Sequence, residues 1–143
     1  MTIISKSALV SYSPEDMFKL IDNIEEYSEF LPWCGKATEI SRDENTVEAS
    51  LLISHSGLNK EFTTKNKNTA FNKIEMHLLN GPFKNLDGVW LFEPLGESAC
   101  KVSLNLEFEF SSKIISISLG PVFSKIANNL VDAFIKRADT VYG

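Results

Sequence analysis

Apolar and polar residues alternate along most of this chain, and helical spacing replaces the alternation in two places. The alternation over Thr2–Ser11 predicts a strand. Ser13-Pro14 has the residue types of a helix N-cap and a first helical position, and apolar spacing continues to Ile24. A second short helix over Glu26–Phe30 should end before Pro32, because proline disfavours a helical residue in front of it.

Between these helices and residue 110, a period of two predicts six further strands. We expect them at Lys36–Asp43, Thr46–His55, Leu58–Lys67, Phe71–Leu79, Leu86–Phe92 and Cys100–Phe110. Turn residues separate them, as at Ser56-Gly57, Gly81-Pro82 and Pro94–Glu97. The last of these strands alternates without an error, which is typical of an antiparallel sheet with one face in water.

The chain closes with a long amphipathic helix. An apolar stripe predicts it over Pro121–Tyr142, about 33 Å long. We expect Ser112–Leu119 to be a separate helical turn, broken at Gly120-Pro121. One apolar sheet face and one apolar helix stripe must cover each other, so residues 1–143 should form one α+β domain. In it, about seven curved antiparallel strands grip the C-terminal helix and leave a tapering apolar space as the natural ligand site.

Composition adds an emphasis on apolar rings and a negative charge. Ten Phe stand against three Tyr and two Trp, so the fold must enclose much ring surface without a polar atom. The formal net charge of −5 argues against a dedicated nucleic-acid binder, and we expect no DNA partner. The two cysteines, Cys34 and Cys100, are too few for a disulfide scaffold and are expected as free, buried thiols.

The charge is distributed unevenly. Residues 15–48 hold ten acids against three bases, whereas residues 60–84 hold five lysines against two acids. The five are Lys60, Lys65, Lys67, Lys73 and Lys84. Two interpretations remain open: edge-strand and solvated lysines that oppose aggregation, or a basic face that meets RNA or anionic lipid.

The sequence offers little catalytic chemistry. It has no nucleophile elbow, P-loop, HExxH or dinucleotide fingerprint. His55 and His77 fall on separate predicted strands, and no cysteine has metal-ligand spacing. Glu107 and Glu109 share a solvated face, which does not shield a carboxylate pair for acid–base work. We therefore predict a protein that is not an enzyme, with no catalytic residue, no metal and no required cofactor.

Two apolar clusters interrupt the regular pattern. Phe30–Cys34 is either a helix-to-sheet corner that plugs the core or a lip over the cavity mouth, with Trp33 as an anchor or gate. The second is Gly81–Lys84 followed by Gly88, Trp90 and Phe92. Glycine within a strand marks a bulge or a close approach, so Gly88 is expected to let a helix or a ligand lie near the sheet.

Four segments in register resemble the coenzyme Q-binding START-domain family and its bacterial ribosome association toxin (RatA) branch. They are Tyr27–Cys34, Lys60–Thr64, Gly81–Leu86 with Gly88, Trp90 and Phe92, and Ala133-Phe134 with Arg137-Ala138 and Val141–Gly143. The resemblance covers essentially the whole chain. It implies a helix-grip fold with a cavity under the C-terminal helix. Polyketide cyclases belong to the wider superfamily, but this sequence offers no acid–base pair for that chemistry.

The resemblance implies two quite different functions. One branch binds ubiquinone and supports respiration, and the other binds the large ribosomal subunit and blocks its joining with the small one. We rank ubiquinone or related lipid binding first, because each buried CH₂ of an isoprenoid tail contributes about 0.8 kcal/mol. The ribosomal role is the alternative. The protein is expected in the cytoplasm, with peripheral contact at the inner membrane as a further option, since no signal peptide precedes Val10.

These hypotheses name two residue sets. The predicted ligand-binding residues are Phe30, Leu31, Trp33, Leu51, Phe62, Met76, Trp90, Phe92, Leu106, Phe108, Phe123, Ile126, Leu130 and Phe134. The lysines named above are the predicted contacts to RNA or an anionic surface.

Overall fold

Seven strands and three helices follow one another in the predicted order in the computed structural model, which describes residues 1–143. The strands are β1 Thr2–Val10, β2 Cys34–Arg42, β3 Thr46–His55, β4 Leu58–Thr69, β5 Lys73–Asn80, β6 Phe83–Pro94 and β7 Cys100–Phe110. The helices are α1 Pro14–Asp22, α2 Tyr27–Phe30 and α3 Lys113–Tyr142, and a 3-10 turn spans Ile24–Glu26.

All strand pairs are antiparallel and form one sheet in the order β1-β7-β6-β5-β4-β3-β2. Strands β2 to β7 form a meander, and β1 closes the far edge by pairing with β7. The alternation predicted for the last strand is present, because Val102, Leu104, Leu106 and Phe108 are buried on one face. The opposite face is not solvated throughout, because Ser103 is buried as well. The predicted curved sheet around a long C-terminal helix is therefore confirmed.

The predicted start of α1 is also confirmed. The Ser13 side chain accepts a hydrogen bond from the Asp16 backbone N–H at 3.1 Å, and Pro14 is the first helical residue. Strand ends are less accurate: β5 begins at Lys73 instead of Phe71, because Phe71 has a positive φ of 61° in the preceding turn. Strand β6 extends beyond the predicted Leu86–Phe92 at both ends.

The predicted break at Gly120-Pro121 is wrong. Helix α3 runs without interruption through Pro121 and begins at a Ser112 N-cap, whose hydroxyl accepts the Ile115 N–H at 3.1 Å. Pro121 removes one helical hydrogen bond. Leu119 and Phe123, on either side of it, are both buried against the sheet. Packing of these two side chains holds the helix where local propensity would end it.

Two aromatic clusters hold α3 to the sheet. Near the start of the helix, the Phe123 ring lies 4.8 Å from the ring of Phe108 and 4.9 Å from that of Phe83. Farther along, the Phe134 ring makes edge contacts with Trp90 at 5.4 Å and Tyr27 at 5.2 Å. The phenylalanines thus belong to two packed clusters, one at each end of the space between α3 and the sheet.

A polar cluster ties α1 to the sheet. Arg42 of β2 donates to the Asp22 carboxylate at 3.0 Å, and the amide of Asn68 on β4 donates to the same carboxylate at 2.9 Å. Hydrogen bonds to Glu39 and, to a smaller extent, to Asp22 raise the pKa of Arg42. Asp22, the last residue of α1, is therefore hydrogen-bonded to both β2 and β4 and ties the helix to the sheet.

Helix α3 is long and apolar enough, by length and composition alone, to cross a membrane, with a mean hydropathy of 1.3 over its best window. In this fold its apolar stripe, from Leu119 to Ala138, packs on the sheet. A core helix of this kind meets the same criterion.

Gly81 shows how closely the β5–β6 turn approaches β4. Its φ is +152°, and a Cβ there would lie 2.6 Å from Cβ and 3.2 Å from Cα of Phe62. Gly96 in the β6–β7 turn has φ +83° and open space around the corresponding Cβ position. Both glycines therefore have a positive φ that side chains rarely adopt, but only at Gly81 would an added Cβ clash with a neighbour.

We expect Gly96→Ala to cost about 1 kcal/mol of unfolding free energy from backbone strain alone. Gly81→Ala should cost roughly 1–3 kcal/mol more, because Phe62 and its strand must shift. Urea denaturation of both variants measures the difference. Equal losses would show that the turn moves away from Phe62 without cost.

Candidate functional site

An apolar cavity of about 90 Å³ lies between the inner face of the sheet and α3. Of the 18 residues around it, 16 are hydrophobic. They come from every layer of the fold: Ile24, Tyr27, Trp33, Ala49, Leu51, Phe62, Thr64, Asn66, Met76, Leu86, Trp90, Leu104, Leu106, Phe123, Ile126, Ala127, Leu130 and Phe134. Thr64 and Asn66 are its two polar side chains other than the Tyr27 hydroxyl and the indole N–H groups.

A wider, open space of about 500 Å³ adjoins the cavity, and we call it the vestibule. Its walls are the Leu31–Trp33 loop, His55 and one face of α3 from Pro121 to Ala133. Trp33, Ile126 and Leu130 line both spaces. Sites for small molecules usually occupy about 300–1,000 Å³. The cavity alone is below that range, so a ligand of ordinary size must extend into the vestibule or widen the cavity.

Ten of the 14 predicted ligand-binding residues line the cavity. They are Trp33, Leu51, Phe62, Met76, Trp90, Leu106, Phe123, Ile126, Leu130 and Phe134. Nine of them lie on inward strand faces or the apolar helix stripe, which alternation and helical spacing predict, and Trp33 lies in the loop before β2. That they bind a ligand stays a prediction.

The other four predicted residues lie outside the cavity. Phe30 packs on Phe134 under the Arg137 guanidinium and faces a surface groove. Leu31 is buried at the vestibule wall. Phe92 packs against Phe18 of α1, and Phe108 is fully buried beneath Phe123. Apolar alternation predicts which side chains point to the inner face of the sheet. It does not predict which of them border the cavity and which pack in the solid core.

Eight cavity residues were not predicted. Ala49, Leu86 and Leu104 occupy inward strand positions, Ala127 lies in the helix stripe, and Ile24 and Tyr27 follow α1. Thr64 and Asn66 share the inward face of Phe62, two and four residues further along β4. Alternation along the strand predicts that they point inward, but the sequence analysis selected only apolar residues for the ligand site. Both are nevertheless buried.

The two apolar clusters of the sequence take different roles. Trp33 is half-buried between cavity and vestibule, which is the position expected of the lip. Gly88 does not let α3 lie close to the sheet. A Cβ there would lie 2.8 Å from Met76 Cε and 2.9 Å from Leu106 Cδ1, so neighbouring side chains of the cavity floor fill the space above it.

The titratable groups near the cavity are poorly suited to catalysis. The Tyr27 hydroxyl donates to the Ile21 carbonyl, and burial raises the pKa of this phenol. Burial also raises the pKa of the Cys34 thiol, and that of Cys100 to about 11. His77 pairs with Asp87 at 2.8 Å on the exposed outer face, whereas His55 lies at the vestibule.

The five lysines do not form one surface. Lys65 and Lys67 point to the outer face of β4, where Glu48 is the cross-strand neighbour of Lys65 and Glu75 that of Lys67. Lys60 has the opposite parity and lies on the side of Phe62. Lys73 is paired with Glu75 at 3.8 Å, and Lys84 is exposed in the irregular start of β6. Lys60 therefore does not share the outer face with Lys65 and Lys67, because strand side chains alternate.

Comparisons with known proteins agree with this architecture. The sequence profile of the polyketide cyclase / dehydrase and lipid transport family matches residues 10–135. The chain is 48% identical over 143 residues to the ribosome association toxin RatA of Vibrio cholerae, covering 100% of this chain and 99% of that one. It is 41% identical over 142 residues to RatA of Escherichia coli K12, covering 99% and 90%.

A more distant relative carries a different name. Identity to the mitochondrial coenzyme Q-binding protein coq10 of Schizosaccharomyces pombe is 29% over 140 residues, covering 92% of this chain and 84% of that one. Among solved structures, a START superfamily protein from Mycobacterium smegmatis superposes with a TM-score of 0.81 at 19% identity, covering 97% and 98%. The Zhui aromatase/cyclase from Streptomyces gives 0.77 at 11% identity, covering 96% and 93%. At these identities the structures show the fold alone.

A tryptophan at position 130 should fill the passage between cavity and vestibule. We expect Leu130→Trp to abolish the fluorescence gain of N-phenyl-1-naphthylamine, a small apolar dye, while the protein stays folded by circular dichroism. Asn128→Trp, on the exposed side of the same helix, is the matched control and should bind the dye as the unmodified protein does. Undiminished dye binding by Leu130→Trp would place the dye elsewhere.

Proposed function

This chain belongs to the polyketide cyclase / dehydrase and lipid transport family, and from that premise we propose that it associates with ribosomes as a toxin-type inhibitor of translation. The observation that carries the proposal is identity of 41–48% over the whole chain to proteins named ribosome association toxin. The similarity to the coenzyme Q-binding protein is much lower. The ribosomal role therefore moves ahead of quinone binding as the leading hypothesis.

The outer face of β4 is our proposed contact to ribosomal RNA. Lys65 and Lys67 are exposed there and project away from α3. Neither ammonium group forms an ion pair within 4.0 Å, although Glu48 and Glu75 are cross-strand neighbours. Such a mixed face supports a contact of limited extent, in keeping with the net charge of −5.

Sedimentation through sucrose gradients with separated ribosomal subunits tests this proposal. We expect the protein to travel with the large subunit and to reduce the joined-ribosome peak. The Lys65→Glu/Lys67→Glu variant should bind more weakly and lower the slope of log affinity against log salt by about 2.

The matched control is Lys101→Glu/Lys113→Glu, which changes the same charge on β7 and at the start of α3. An equal loss in the control would make the effect one of overall charge. Absence of the protein from both subunits at low salt would overturn the ribosomal proposal itself.

We further propose that the cavity binds a hydrophobic molecule, with ubiquinone or a related lipid as the first candidate. The enclosed apolar lining and the adjoining vestibule support this, as does the relative named for coenzyme Q binding. A long apolar tail that fills both spaces would gain about 0.8 kcal/mol per buried CH₂.

Organic extraction of protein purified from respiring cells, followed by mass spectrometry, measures the bound molecule. We expect quinone or lipid in near-stoichiometric amount from the unmodified protein and none from Leu130→Trp. An extract that is empty in both would remove support for a lipid role and leave the ribosomal one.

We infer binding instead of catalysis at this cavity. The only titratable side chain in its wall is Tyr27, whose hydroxyl is already committed to the Ile21 carbonyl. General acid–base catalysis needs a group that exchanges a proton near neutral pH, and burial moves the pKa of Tyr27 in the opposite direction. Cyclases share the fold, but this wall lacks the groups for their kind of chemistry.

A further inference from the structure

Asn66 is a buried polar residue without an obvious structural reason. It lies on the inner face of β4, between Val47 of β3 and Met76 of β5. Only 7% of its surface is exposed, and it lines the apolar cavity. Burying an amide in apolar surroundings costs free energy unless its hydrogen bonds are made.

One end of the Asn66 amide is held by a neighbour. The Thr64 hydroxyl, two residues back on the same inner face, donates to Asn66 Oδ1 at 2.9 Å, and this bond is itself buried. It fixes the amide plane and decides which end faces outward. The amide nitrogen, Nδ2, makes no hydrogen bond within the protein.

The neighbouring asparagine on β4 provides a comparison. Asn68, also on the inner face, donates its amide to Asp22 at 2.9 Å and thereby has a structural role in holding α1. The buried side-chain atoms that lack a partner are Asn68 Oδ1 and Arg137 Nε. Asn66 Nδ2 is not among these fully buried atoms, and Asn66 lines the cavity, so we take Nδ2 to face the cavity. No protein group accepts from its two N–H donors, so an acceptor on a ligand in the cavity can pair with them.

We propose that Asn66, oriented by Thr64, is the residue that selects the cavity's ligand by donating a hydrogen bond to a carbonyl oxygen. The proposal rests on the cavity-binding function above and narrows its ligand class. The preferred molecule has an apolar body and a carbonyl-type acceptor, and a pure hydrocarbon of the same shape binds less well. A carbonyl fits because it accepts without bringing a donor that would face the amide N–H groups.

A matched pair of small ligands isolates the carbonyl. 2-Methyl-1,4-naphthoquinone and 2-methylnaphthalene have nearly the same shape and differ chiefly in two carbonyl oxygens. Displacement of N-phenyl-1-naphthylamine from the full-length protein measures both affinities. We expect the unmodified protein to prefer the quinone by about tenfold, the effect of one hydrogen bond made in an apolar site.

Asn66→Leu should bring the ratio of the two affinities close to one by weakening the quinone, with the hydrocarbon unchanged or tighter. Thr64→Val frees the amide to turn and should reduce the preference in part, whereas Thr64→Ser keeps the hydroxyl and should keep the ratio. Ratios within one variant are compared, so a change in stability that affects both ligands equally does not alter the result.

The outcomes separate the two levels of the argument. Failure of the dye and of both ligands to bind the unmodified protein would overturn cavity binding, and the role of Asn66 with it. Binding of both ligands with the same ratio in the unmodified protein and in Asn66→Leu would overturn the role of Asn66 and leave the cavity as an apolar site.

Discussion

The structure depends on burial of the apolar stripe of α3 against the inner face of the sheet. Phe123 and Phe134 are the main contacts, and each ring meets aromatic partners from the sheet. This packing also holds the helix through Pro121 and defines the space that α3 and the sheet enclose. If helix and sheet separated, the cavity, the vestibule and much of the core would be lost together.

The inner face of β4 is the exception within this apolar interface. Phe62, Thr64, Asn66 and Asn68 follow one another at alternate positions and are all buried. Asn68 is bound by Asp22, which accounts for its place at the α1 end of the sheet. Thr64 and Asn66 are bound to each other and open onto the cavity. The polar residues of this strand therefore fall into two groups. Asn68 holds α1, and Thr64 and Asn66 face the cavity, where we propose that they recognise the ligand.

The two proposed activities use opposite faces of the same strand. Phe62, Thr64 and Asn66 of β4 line the cavity, whereas Lys65 and Lys67 project from the outer face of the sheet. Strand alternation lets both faces be used without competition for side chains. A ligand in the cavity would contact the inner side chains of β4 and not Lys65 or Lys67.

The sequence by itself determined the order of elements, the α1 cap, the apolar face of β7 and ten of the cavity residues, because these follow from local periodicity and residue type. Only the tertiary structure decided that α3 continues through Pro121, since distant packing overrides local propensity. It also decided that Phe92 and Phe108 fill solid core while Asn66 faces a cavity. Whether an inward position meets a neighbour or empty space depends on the shapes of all the surrounding side chains, which no local pattern contains.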